Sequence, residues 1–137
     1  MSSASSFGWQ TRVYWEDTDG GGVVYYANYL RFMERARSEW LRARGWSQLT
    51  LVAEHSILFI VANVNIEYLK PARLDDMLFV GCEPKPEGRV TLLFQQAIRR
   101  TAPDGELLTT ALVRVACVDA HSFRPKRFPG FVLEGLS

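Results

Sequence analysis

The chain has 137 residues, of which 47% are hydrophobic and 23% charged, with a net charge of +1 at pH 7. This size predicts one domain with a substantial core. The near-neutral charge argues against a nucleic-acid-binding protein, which would show a basic field. The sequence contains no run of about 18 uninterrupted apolar residues, so no transmembrane helix is expected. The N-terminus lacks the pattern of a secretory signal.

We therefore expect a cytoplasmic protein in which residues 1–137 form a single domain and residues 1–8 a flexible tail. Cys82 and Cys117 are expected to be reduced core thiols, because no export signal precedes them. The two histidines, His55 and His121, are isolated in the sequence, so no metal site is predicted.

The first half of the chain predicts a strand, an Asp/Gly-rich turn and a long helix. The predicted strand covers Gln10–Glu16, and the helix covers Asn28–Arg44 with Asn28 as N-cap and Gly45 as C-cap residue. Its apolar stripe follows helical spacing and consists of Tyr29, Met33, Ala36 and Trp40. A shorter helix is predicted over Ser47–Glu54.

The second half predicts four consecutive strands. They begin at Ile57, Met77, Arg89 and Leu107 and end near Lys70, Glu83, Arg100 and Asp119, with a turn over Pro84–Gly88. Four successive strands with short turns favour an antiparallel meander. Since the long helix is the only large apolar partner for such a sheet, we expect an α+β fold with one curved antiparallel sheet packed on one helix.

The turn before the long helix carries the residues most suited to chemistry. Asp17 and Asp19 precede the glycines at 20–22, and the helix N-terminus follows. Free N–H groups at a helix N-terminus can hold a carbonyl oxygen as it becomes an oxyanion, and a nearby carboxylate can act on the same carbonyl carbon. The alternative is that the two aspartates only form an Asx-type turn.

Three blocks carry a resemblance to a known family. They are VYWEDTDGGGVVYYANYLRFMERARSEWL, VNIEYLKPARLDDML and CVDAHSFRPKRFP, in that order along the chain. The first follows the pattern E-D-T-D-x-x-G-x-V-Y-x-x-x-Y. Together they resemble the hotdog-fold acyl-CoA thioesterases of the 4-hydroxybenzoyl-CoA thioesterase family, most of all its Tol-Pal-associated branch. The resemblance implies a sheet wrapped around one long helix, and homodimers or a homotetramer with active sites between subunits.

The resemblance also implies site residues. It implies that Asp19 is the catalytic carboxylate, that the backbone N–H of Tyr26 is the oxyanion donor, and that Gly22 makes room for the thioester. Asp17 is implied to be structural. Members of the Tol-Pal-associated branch usually carry histidine where this sequence has Tyr26, so a mechanism without histidine is expected here.

Further substrate-binding residues are suggested by residue type. Tyr25, Phe59 and Tyr68 are candidates for an acyl pocket, although core packing would explain them as well. The cations Lys70, Arg124, Lys126 and Arg127 are candidates for binding the phosphates of coenzyme A, with solvated surface charge as the alternative for each.

The sequence thus predicts an enzyme that hydrolyses acyl-CoA thioesters without a metal or other cofactor. Asp19 would be the nucleophile or the general base. A hotdog protein that binds acyl-CoA or an acyl carrier protein without hydrolysing it is the first alternative, and a protein that only interacts through its sheet edges is the second. The sequence does not predict which acyl group is preferred.

Overall fold

Five antiparallel strands wrap around one long helix in the computed structural model, which describes residues 7–136. The elements are β1 (Phe7–Arg12), α1 (Asn28–Ala43), α2 (Gln48–His55), β2 (Ile57–Tyr68), β3 (Met77–Glu87), β4 (Thr91–Arg100), β5 (Leu107–Asp119) and the short α3 (Gly130–Leu133). None of the helices in this part of the chain is long and apolar enough to cross a membrane.

The strand order β1-β3-β4-β5-β2 corrects the predicted four-strand meander. Only β3, β4 and β5 follow one another as a meander, whereas β2 pairs with β5 at the far edge. The reason lies in the eight-residue connection 69–76, which is too long for a tight hairpin. Its first two N–H groups, of Leu69 and Lys70, donate to the Leu108 carbonyl (2.9 and 3.0 Å) and so extend the pairing of β2 with β5.

The first strand also lies earlier than predicted. It ends at Arg12 instead of Glu16, and Trp15–Asp17 form a 3-10 turn. The turn forms because the Asp17 carboxylate accepts a hydrogen bond from the Tyr14 N–H (2.8 Å), which pulls the chain out of the extended conformation. The predicted tail is therefore wrong for Phe7 and Gly8, which belong to β1, and its residues 1–6 lie outside the described residues.

The predicted turn at Pro84–Gly88 is corrected as well, because β3 continues to Glu87. Pro84 and Pro86 pair in register with Phe94 and Leu92 of β4. The pairing of β1 with β3 ends at Cys82, so beyond that point β3 has β4 as its one described neighbour. A proline is tolerated in such an edge segment, since its missing N–H faces away from the ladder.

The core lies between α1 and the inner face of the sheet. The predicted stripe is confirmed, since Tyr29, Met33, Ala36 and Trp40 are all at most 5% exposed. Gly45 ends the helix at φ +93°, and the N–H groups of Gly45 and Trp46 donate to carbonyls of the last turn. These two bonds form a Schellman motif, which confirms Gly45 as the terminating glycine.

Two further predictions from the sequence are confirmed. The short helix α2 begins after Ser47, whose hydroxyl accepts from the Thr50 N–H (3.2 Å). Cys82 and Cys117 are free and buried, and burial raises the pKa of the two thiols to about 12 and about 11. They are therefore inert core residues.

Candidate active site

A tight loop joins the 3-10 turn to α1. Its two sides are held together by the bridge between Thr18 and Val24 and by the hydrogen bond from the Asp19 N–H to the Val23 carbonyl (3.1 Å). The turn needs left-handed backbone at Gly20 (φ +88°) and Gly22 (φ +91°), where a side chain would be strained. Gly20 and Gly22 are therefore explained first by the shape of this loop.

The connection 69–76 fastens the loop against the start of α1. The Val24 N–H donates to the Ala72 carbonyl and the Leu74 N–H to the Gly22 carbonyl, both at 2.9 Å. Ala72 is fully buried, and its N–H donates to the Tyr29 hydroxyl of α1 (3.0 Å). The same crossing that alters the strand order thus fixes the glycine loop beside the helix.

The two aspartates of the loop have different environments. Asp17 is 7% exposed, and its two carboxylate oxygens accept from the Tyr14 N–H and from the Asn28 side-chain amide (2.9 Å). Asp19 is exposed and accepts one hydrogen bond, from the Gly21 N–H (2.7 Å), which leaves its second oxygen without a partner among the described residues. Both oxygens of Asp17 thus hold the turn and the helix start together, whereas one oxygen of Asp19 has no partner among the described residues.

The start of α1 offers an unused donor. Among residues 7–136 the Tyr26 N–H donates to no acceptor, whereas the Tyr25 N–H bonds to the Asp17 carbonyl (3.0 Å) and the Asn28 N–H to the Tyr25 carbonyl (2.8 Å). The predicted N-cap is wrong: the cap position is Ala27, which offers no side-chain hydrogen bond. The Asn28 side-chain amide instead donates to the Asp17 carboxylate, because both side chains are buried together.

Four tyrosines surround this helix end. Tyr25 and Tyr26 are in contact (ring centroids 4.9 Å apart), and Tyr68 packs edge-on against Tyr26 (6.4 Å) and Tyr29 (5.3 Å). The Tyr68 hydroxyl donates to the Tyr26 carbonyl (3.0 Å), and desolvation raises the pKa of that phenol. The predicted residues Tyr25, Tyr26 and Tyr68 therefore lie together at the helix N-terminus, and Gly22 and Asp19 belong to the loop that leads into it.

The other predicted binding residues lie elsewhere in the same chain. Phe59 is near the start of β2, where its ring contacts Phe128 (5.4 Å) and lines a cavity of about 130 Å³ beneath α1. Tyr68 is at the other end of this twelve-residue strand, so the two aromatics are roughly 30 Å apart along it.

The four predicted cations divide between the two ends of the sheet. Lys70 is near the tyrosines but forms an ion pair with Glu106 (3.0 Å). Lys126 donates to the His55 carbonyl (2.7 Å) at the opposite end. Arg124 and Arg127 are exposed beside it, and neither has an ion-pair partner in the described part of the chain. Three of the four cations are thus far from Asp19 within one subunit.

Two cavities in the described part of the chain lie away from Asp19 and Tyr26. A groove of about 840 Å³ crosses the outer face of the sheet between Phe79, Gln95 and Leu112, and neither it nor the smaller cavity is lined by the two candidate catalytic residues. Asp19 is exposed and Tyr26 is 63% exposed, so the candidate site is an open surface in one subunit. Within residues 7–136, no cluster of three or more His, Cys, Asp or Glu side chains is arranged to hold a metal ion.

One buried polar network was missed by the sequence analysis. The Arg37 guanidinium donates to the Gln96 side-chain oxygen (2.9 Å), and the Gln96 amide donates to the Met33 carbonyl (3.1 Å). Burial lowers the pKa of Arg37. The network could have been predicted from Gln96, which is a polar residue at a buried position of the alternating pattern of β4. A buried amide requires hydrogen-bond partners.

Comparison with known proteins identifies the family. A family model described as the thioesterase-like superfamily matches residues 13–136. The chain belongs to this superfamily. The predicted resemblance and the hotdog fold are thereby confirmed, and the matched region includes the whole candidate site.

Two curated relatives span nearly the same length. The acyl-CoA thioesterase YbgC of Haemophilus influenzae is 44% identical over 125 residues, covering 91% of this chain and 90% of that protein. The acyl-CoA thioester hydrolase YbgC of Escherichia coli O157:H7 is 46% identical over 123 residues, covering 90% of each.

Solved structures share the architecture. A probable thioesterase from Bartonella henselae superposes with a TM-score of 0.83 at 32% identity, covering 90% of this chain and 99% of that one. The 4-hydroxybenzoyl-CoA thioesterase of a Pseudomonas strain superposes with a TM-score of 0.85 at 24% identity, covering 95% and 98%. The latter likeness shows the fold alone.

Proposed function

We propose that this protein hydrolyses acyl-CoA thioesters to a free acid and coenzyme A. The proposal depends mainly on two unused groups on one loop and helix start: Asp19 is exposed with one oxygen that has no described partner, and the Tyr26 N–H donates to no described acceptor. Relatives named as acyl-CoA thioesterases at 44–46% identity support the substrate class.

In the proposed mechanism the thioester carbonyl oxygen accepts a hydrogen bond from the Tyr26 N–H. The partial positive charge of the helix N-terminus favours the oxyanion that develops there. Asp19 then follows one of two routes. As a nucleophile, its free oxygen attacks the carbonyl carbon, the C–S bond breaks, coenzyme A leaves as the thiolate, and water hydrolyses the resulting anhydride.

As a general base, Asp19 instead takes a proton from a water molecule that attacks the carbonyl carbon. The tetrahedral intermediate collapses with loss of the thiolate, which then takes up a proton. Either route consumes one water molecule. We propose that neither route needs a metal or other cofactor. No histidine of the same subunit takes part, because His55 contacts Trp46 and Phe131, and His121 lies in the exposed turn after β5, at the opposite end of the sheet from Asp19.

We further propose that the working unit is a homodimer joined through β2. This twelve-residue strand is an edge of the sheet, its single charge is Glu67, and it exposes Ile60, Val61 and Val64 by 37–45%. A long apolar edge of this kind is suited to pairing with another strand. The homotetramer that the family resemblance implies would require a second contact between two such dimers.

Antiparallel pairing of two β2 strands about a two-fold axis would complete the site. It places the Ile57 end of one strand beside the Tyr68 end of the other, and so brings the exposed Arg124 and Arg127 of one subunit toward Asp19 of its partner. This arrangement supports a role for the tail cations in binding the phosphates of coenzyme A. It would also supply the wall that the open surface of one chain lacks.

The experiment that tests the function is a substrate profile of the purified protein. Aromatic, short branched and long straight-chain acyl-CoAs are each mixed with enzyme, and the released thiol is measured with a chromogenic disulfide. Enzyme-dependent thiol release from at least one class is expected. Tight acyl-CoA or acyl carrier protein binding without thiol release would replace the proposal with the non-hydrolytic alternative.

A further inference from the structure

The turn that follows β5 presents an aromatic ring to solvent at a strained position. Phe123 is 60% exposed, and its backbone adopts φ +60°, a left-handed conformation that bulky residues rarely take. No described aromatic ring contacts it. Neither local backbone preference nor core packing explains a phenylalanine here, and strained residues of this kind concentrate where ligands are held.

The turn is held rigidly in this conformation. Within it, the Phe123 N–H donates to the Asp119 carbonyl (2.9 Å), and the Asp119 N–H donates to the Arg124 carbonyl (2.8 Å). The Asp119 carboxylate accepts from the His121 and Ser122 N–H groups (3.0 and 2.9 Å). The ring therefore projects from a fixed base, so little conformational entropy is lost when it contacts a ligand.

Cations flank the ring on the same segment. Arg124 and Arg127 are exposed and have no ion-pair partner among residues 7–136. Lys126, by contrast, is occupied by the His55 carbonyl. An exposed aromatic ring, with two free guanidinium groups one and four residues further along the chain, matches the chemistry of a nucleotide, whose base stacks and whose phosphates accept hydrogen bonds from arginine.

We propose that Phe123 is a stacking platform for the adenine base of coenzyme A, with Arg124 and Arg127 on its phosphates. The inference rests on the proposed function and deepens it, because it assigns the recognition of the nucleotide to the turn after β5. It follows that the protein distinguishes acyl-CoA from thioesters that lack the adenosine, such as acyl-pantetheine.

Direct binding tests the platform without relying on turnover. The affinity of adenosine 3′,5′-bisphosphate and of coenzyme A is measured by calorimetry for the wild type, Phe123→Gly, Phe123→Trp and Leu49→Ala. Glycine removes the ring and suits the left-handed backbone, so that variant should fold. Leu49 is the control, since it is an apolar side chain that is 79% exposed on α2.

Phe123→Gly should weaken the binding of both ligands by about five- to tenfold, the equivalent of losing one stacked base. Phe123→Trp and Leu49→Ala should bind within about twofold of the wild type, since neither loses a stacking face. In kinetic assays Phe123→Gly should raise KM for an acyl-CoA and leave kcat/KM for the matching acyl-pantetheine unchanged.

The outcomes separate this inference from the proposed function. Nucleotide binding that depends on Phe123 without any thioester turnover would support the platform while the proposed function fails. Unchanged binding in Phe123→Gly, with normal turnover, would overturn the platform and leave the proposed function standing. A loss of dimer mass in Phe123→Gly would also overturn it, since the ring would then pack against the partner subunit.

Discussion

At the scale of single residues, we assign stabilisation of the oxyanion to the backbone N–H of Tyr26 and not to its side chain. Tyr26→Phe should keep kcat within about threefold of the wild type, whereas Tyr26→Pro should lower kcat by about 100- to 1,000-fold, because proline removes the one N–H aimed at the oxyanion. That N–H bonds to no other described residue, so its removal costs no hydrogen bond of the fold. Steady-state kinetics with far-UV circular dichroism of both variants provide the check, and equal kcat in folded Tyr26→Pro would refute the assignment.

At the scale of elements, the turn after β5 depends on one carboxylate. Hydrogen bonds from the Ser122 and His121 N–H groups hold the pKa of Asp119 at about 2, below its ordinary value. A depressed carboxylate pKa stabilises the fold above the unfolded-state pKa of about 3.9, and this stabilisation is lost as the pH falls through the folded pKa. Asp119→Ala should therefore melt a few degrees below the wild type at pH 7, and the gap should close between about pH 4 and pH 2. Thermal melts across this pH range measure it, and a gap independent of pH would contradict the ionic origin.

At the scale of the whole molecule, assembly should depend on the free edge of β2. Val64→Lys places a charge in the proposed interface, and edge lysines oppose strand pairing. Analytical ultracentrifugation should show the wild type at two or four times the 15.6 kDa chain mass and Val64→Lys shifted toward the monomer. Activity should fall with it, because the tail cations would no longer reach Asp19 of a partner. Leu49→Lys, on an exposed site of α2, is the matched control. A monomeric wild type with full activity would exclude the composite site.

Structural features that depend on neighbouring residues could be predicted from the sequence, whereas features that depend on distant residues could not. The helix stripe around Met33 and the end at Gly45 could be predicted because periodicity and glycine act within a few residues. The place of β2 beside β5 could not be predicted, since it depends on bonds from residues 69 and 70 to Leu108. For the same reason Asn28 was assigned as a cap, although its actual partner is the Asp17 carboxylate eleven residues away.

The candidate site shows the same division. The motif grouped Asp19, Gly22 and Tyr26 because they are neighbours in the chain, and the structure places them on one loop and helix end. The positions of Phe59 and Arg124 relative to that loop follow from strand direction, which residue type does not encode. The cytoplasmic location and the single-domain organisation stay predictions.

The catalytic role of Asp19 is tested most directly by the kcat of Asp19→Asn on the best acyl-CoA of the substrate profile. Asparagine keeps the size of the side chain and an oxygen for the Gly21 N–H, but it is neither a nucleophile nor a base here. We expect a folded protein whose kcat falls by at least about 100-fold. Asp104→Asn, in the exposed β4–β5 turn, should leave kcat unchanged. Near-normal turnover by folded Asp19→Asn would contradict a catalytic role for Asp19.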